Sequence, residues 1–156
     1  VADSELRRHL IAMLTEANAH LAYETVLANF PASLRGKSVG GFEHTAWQLL
    51  EHLRLAQWDI LEFSTNPSHV SPDFPDGYWP KTSAPESDRE WKESVGTFLR
   101  DRDDMVMLIG DETVNLLAAI PHGDGQTVLR EALVLAKHNS YHLGQLVLLH
   151  KALISR

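Results

Sequence analysis

Apolar positions recur at helical spacing in four segments of the chain, and no segment shows the sustained alternation of a half-buried strand. The pattern predicts an all-α fold. Leu6, Leu10, Met13, Leu14, Ala17, Leu21 and Ala28 form one stripe, which predicts a first helix over about residues 4–29, ended by Phe30-Pro31 and the glycine-containing stretch 35–41. A second helix opens at Thr45, whose hydroxyl is placed to accept from the backbone N–H of Gln48 while the Gln48 side chain returns to the cap, and runs to about residue 63.

The loop that follows contains Asn66-Pro67, Ser71-Pro72, Pro75-Asp76-Gly77 and Trp79-Pro80, whose prolines deny backbone donors to any continuous helix. Ser87-Asp88-Arg89-Glu90 reads as a second capping box. It opens a third helix that turns Trp91, Val95, Phe98, Leu99, Met105 and Leu108 inward and stops near Gly110. Residues 111–120 are left open between a short helix and coil. A turn at 121–125 and a cap at Thr127 then lead into a last helix that runs nearly to the end. Four long helices predict a four-helix bundle with long crossover loops.

Length and composition narrow this further. The chain has 156 residues, which favours one domain, with 44% hydrophobic and 22% charged residues as in ordinary globular proteins. A formal charge of −7 argues against nucleic acid as a partner, because no strong positive field is available for a phosphate backbone. With no cysteine, disulfides, cysteine-ligated zinc, iron–sulfur clusters and a protein thiol nucleophile are excluded. No apolar run approaches a membrane span, and the opening residues are too acidic for a signal peptide, so a cytoplasmic location is expected.

Nine histidines are the remaining soft donors. His138 and His142 lie four apart on the last helix, on the face that carries Glu131, Val134, Leu135, Gln145, Leu146 and Leu149, so both rings point into the interior. Two imidazoles so placed can share one metal; the alternative is a pair of core histidines satisfied by carbonyls or carboxylates. His52, at the edge of the stripe Leu49, Leu53, Ala56 and Ile60, is the natural third ligand. Three nitrogens leave positions open for water or substrate, as in catalytic rather than closed structural sites, and suit zinc or nickel foremost, with manganese, iron or copper as alternatives.

Gln145 and Glu131 are candidate neighbours of the triad, whereas Asp59 and Gln48 are read as ordinary polar residues. His20 and Glu24 form another pair four apart. Glu24 is a candidate fourth ligand or general base, and the plainer reading is an ion pair with Arg54 or Arg130 across the bundle. His9, His69 and His150 are assigned to the surface and His122 to a turn. Tyr78 and Trp79 are expected to plug the end of the bundle, a lid over the site being the alternative.

Two segments, His44-Thr45-Ala46-Trp47-Gln48-Leu49-Leu50-Glu51-His52-Leu53-Arg54 and His138-Asn139-Ser140-Tyr141-His142-Leu143-Gly144-Gln145-Leu146, resemble the signature segments of the DinB-like (DinB/YfiT) superfamily. Residues 19–24, Tyr78-Trp79-Pro80 and 125–133 are similar to one branch of it. The resemblance implies an up-down-down-up four-helix bundle with its metal-binding triad on His52, His138 and His142. It also implies either of two functions. One is an enzyme that activates a low-molecular-weight thiol such as mycothiol, bacillithiol or glutathione, or a water, for S-transfer or hydrolysis of a small-molecule substrate. Glu24 or Glu131 would then be the base, with His20, Tyr141 and Gln145 at or around the pocket. The other is a non-catalytic, stress-associated metal-binding protein with a closed site. Leu143, Val147 and Leu148 extend the apolar character of the last helix and suggest a homodimer.

Overall fold

A computed structural model describes residues 2–155. The described residues form five α-helices and no strand: α1 (Ala2–Thr15), α2 (Tyr23–Ala28), α3 (Ala46–Thr65), α4 (Asp88–Gly110) and α5 (Val128–Ile154). Among the described residues, no helix is long and apolar enough to cross a membrane. α3 packs on both α4 and α5, α1 lies against α4 and α5, and α2 lies against α5.

The single first helix expected over residues 4–29 is two helices. At 100° per residue, Tyr23 lies about 180° round from Leu14, so one straight helix would bury one and expose the other. The chain leaves the helix after Thr15, and both are buried. Leu10 and Leu14 join a core with Leu61, Met105, Ile109, Leu116 and Leu135. Tyr23, Leu27 and Phe30 join a second core with Trp47, Leu50, Leu53, Trp91, Phe98, Leu143 and Leu146. Met13 and Leu21, on the expected stripe, are exposed.

α3 begins with the full capping box: Gln48 N–H donates to Thr45 Oγ1 at 3.2 Å and Thr45 N–H to Gln48 Oε1 at 3.0 Å. At α4 only half of the expected box forms. Glu90 N–H donates to Ser87 Oγ, but the Glu90 carboxylate accepts from Glu86 N–H, one residue further out. Thr127 caps α5 by accepting from Arg130 N–H.

Residues 111–120 are coil. Asp111 and Asn115 each accept from a backbone N–H two residues on, which offers the chain turns in place of a helix. The buried Arg7 guanidinium donates to the carbonyls of Ile109, Asp111 and Val114, closing the C-terminal end of α4 onto α1.

Candidate metal centre

The packing of α3 on α5 brings His52, His138 and His142 together, with one ligand nitrogen from each lying within 4.8 Å of the others. The spacing of four residues sets the rings of His138 and His142 one above the other, 4.6 Å apart, and the His52 ring stands 4.9 and 4.6 Å from them. His142 is buried and the other two are half-buried.

What each ring does with its Nδ1 decides the chemistry of the cluster. His52 Nδ1 donates to the Tyr78 carbonyl at 2.9 Å, His142 Nδ1 to Gln145 Oε1 at 2.6 Å and His138 Nδ1 to Asn139 Oδ1 at 3.4 Å. The orientation of Asn139 is set from outside the site. Its Nδ2 donates to Gln57 Oε1 at 2.9 Å, and Gln57 Nε2 donates to the backbone carbonyl of Phe98, which can only accept.

With Nδ1 protonated in all three rings, each neutral imidazole keeps its lone pair on Nε2. His52 Nε2 and His138 Nε2 face each other at 3.0 Å, and neither holds a proton to give. Two acceptors so close need a proton or a cation between them, and burial opposes the proton. Burial, reinforced by the neighbouring imidazoles, holds His138 down to about 4. Burial likewise pushes His52 and His142 below the usual histidine range, outweighing the hydrogen bonds to Tyr78 and Gln145. Three neutral nitrogens, each with its second ring nitrogen hydrogen-bonded, fit a divalent metal ion.

The loop between α3 and α4 completes the surroundings of His52. Trp79 stacks flat on the His52 ring at 3.9 Å and 2°, and on the His44 ring at 3.9 Å and 22°. Trp79 therefore lies against the site, where it had been expected to plug the bundle's end. Asp59 pins this loop twice, accepting from the Tyr78 hydroxyl at 2.7 Å and pairing with His69 Nε2 at 2.7 Å. Burial and the Asp59 carboxylate push the Tyr78 phenol up to about 12, so it remains a donor. The His69 side chain is only 6% exposed, which corrects its assignment to the surface. His150 is likewise half-buried, 5.0 Å from the Phe30 ring.

His142, Tyr141 and Gln145 line a cavity of about 440 Å³ whose opposite wall holds Phe42, His44 and Trp79. Glu24 and Glu131 do not line it. Glu24 pairs with Arg102 of α4, not with Arg54 or Arg130, and Glu131 is buried beside Arg130 at 2.6 Å. His20 contacts Tyr23 and Ser140. His44 was not expected beside His52, and Trp79 only through the alternative of a lid over the site; Gln57 and Asn139 were not expected as the groups that orient His138. The latter pair left a signal: each is a polar residue on an apolar stripe, between Leu53 and Leu61 and between Leu135 and Leu143.

The chain matches the DinB superfamily over residues 8–146, a span that includes all three histidines. The chain belongs to the DinB superfamily. No curated protein and no solved structure matches it significantly. In this DinB superfamily chain, the signature segments around His52 and around His138 and His142 are thus the ones whose imidazoles meet.

Proposed function

We propose that this protein holds a divalent metal ion on His52, His138 and His142 and uses it to activate a low-molecular-weight thiol or a water for S-transfer or hydrolysis on a small-molecule substrate. The observation that carries the reading is the set of three rings with Nδ1 committed to carbonyl oxygens, leaving two Nε2 lone pairs opposed at 3.0 Å. A bound divalent ion supplies Lewis acidity that lowers the pKa of a coordinated thiol or water. His52, His138 and His142 supply three neutral nitrogens, while Tyr78, Asn139 and Gln145 fix which nitrogen each ring presents.

The cavity beside His142 supports an open site over a closed one. Glu24, the candidate fourth ligand, is engaged by Arg102 and is outside the cluster. A role for Glu24 or Glu131 as general base requires opening its pair with Arg102 or Arg130. Imidazole donors without thiolate favour zinc or nickel, then manganese or iron. The packing of α1, α3, α4 and α5 supports the four-helix, up-down-down-up arrangement as part of the same proposal.

A homodimer through the outer face of α5 also belongs to it, on changed grounds. Leu143 is fully buried, Val147 packs on the core and Leu148 lines the cavity, whereas Leu133 and Val134 are exposed outside it. Sedimentation at twice 17.5 kDa is the expected result, and a particle of 17.5 kDa removes the dimer.

Elemental analysis of tag-free protein tests the metal. Near-stoichiometric metal, lost in His52→Ala and His142→Ala at matched helicity, is expected. No metal in any sample after incubation with zinc, nickel or manganese makes the triad a set of core histidines.

A further inference from the structure

The cavity beside the three histidines carries a charge signature. Its apolar wall is made by Phe42, Leu49, Trp79, Tyr141 and Leu148, and its charged side chain is Glu43. Among the described residues, no lysine or arginine lines it. The arginines that could have served an anion are held elsewhere: Arg54 grips both oxygens of Glu51 at 2.8 and 2.7 Å, and Arg130 donates to Glu131.

With the metal position taken by the thiol, a second anionic group such as a carboxylate would give up hydration with no lysine or arginine to receive it, and would do so beside Glu43, which His44 of the same wall faces at 3.9 Å, in a chain of net charge −7. A flat apolar body loses nothing by entering, and a positive charge meets the Glu43 carboxylate at the exposed mouth of the cavity. At about 440 Å³ the space suits a small ring-bearing molecule.

Resting on the metal reading above, we propose that the ligand reaching the open side of His142 is an uncharged or cationic small molecule with a planar apolar ring. Carboxylate-bearing thiols such as glutathione are disfavoured. The selection is made by the absence of a cationic wall and by Glu43 at the rim.

The test uses cobalt(II)-loaded protein and three benzenethiols of one skeleton: 4-mercaptobenzamide, 4-mercaptobenzoate and 4-(trimethylammonio)benzenethiol. Binding is read from the visible cobalt bands and the near-ultraviolet thiolate-to-cobalt transition. The amide is expected to bind about tenfold more tightly than the isosteric benzoate, the scale of one unpaired charge losing hydration, and the ammonium at least as tightly as the amide. Glu43→Gln should narrow the gap between ammonium and amide, and Leu148→Arg, at an exposed position on the cavity wall, should erase the penalty on the benzoate.

Cobalt bound in wild type with the benzoate equal to or tighter than the amide overturns this inference and leaves the metal reading standing. So does cobalt bound with no response to any of the three thiols. Failure of wild type to take up cobalt, zinc or nickel overturns the metal reading itself, and this inference with it.

Discussion

Two polar clusters sit side by side between α3 and α5, and they end differently. Gln57 and Asn139 form a closed chain: each amide hydrogen bond runs to an acceptor, and the last acceptor is the Phe98 carbonyl. Next to them the three histidines end open, with every Nδ1 used and the Nε2 lone pairs turned on one another. A polar group buried and satisfied holds the helices in place. A polar group buried and left with lone pairs is poised for a cation. The same helix pair supplies both, and the closed cluster sets the proton position of one ring of the open one, His138.

The sharpest way to break this contrast is His142→Ala. Metal affinity should fall by about 100-fold or more, measured by competition against a chelator, while circular dichroism stays helical. Unchanged affinity would leave the open cluster without its function. Gln57→Leu should do the opposite. It orphans Asn139 Nδ2 inside the fold and should cost about 2–3 kcal/mol of stability in urea unfolding. If Gln57→Leu is neutral and His142→Ala unfolds the metal-free protein, the two clusters have exchanged roles.

Asp59→Asn weakens the anchoring of the loop that carries Tyr78 and Trp79, and should lower metal affinity about tenfold with little change in stability. The smallest effect is on pH. His138 is held at about 4 in the folded chain, below its ordinary value of 6.5, so the unfolded chain takes up the proton first. Stability of the metal-free protein is therefore present above pH 6.5 and lost as pH falls through the window down to about 4. Between pH 7 and pH 6 the folding equilibrium should shift about threefold from this group. A flat profile in that interval would mean that His138 is not buried from water.

The helix ends at Thr45 and Thr127 were legible because capping is local: a hydroxyl and a backbone N–H three residues later suffice. The histidine pair was legible for the same reason, since a spacing of four on an apolar face puts both rings inward, and His52 followed from its own stripe. The break between α1 and α2 was also written in the chain, in the half-turn of phase between Leu14 and Tyr23, and was obscured by joining Met13 and Leu21 to the stripe.

Asp59, His69 and His44 were not legible, and Trp79 only as the alternative of a lid. Their contacts depend on how the long loop lies back on α3, and no period or cap encodes that path. Glu24 shows the intermediate case. An ion pair was the plainer expectation, but its partner, Arg102, comes from a helix whose rotation the pattern alone did not specify.

The chain of bonds from Phe98 through Gln57 and Asn139 to His138 draws one residue from α4, one from α3 and two from α5. Each helix advances about 1.5 Å per residue. A slide of one helix past another by a single residue exceeds what a hydrogen bond tolerates, so the imidazole works as a gauge of interhelical registration. Pressure or a distant core substitution would be transmitted to the ring as an exchange between its two nitrogens. Nitrogen chemical shifts of His138 should thus report strain applied far from the cavity, with the backbone around the three rings unmoved.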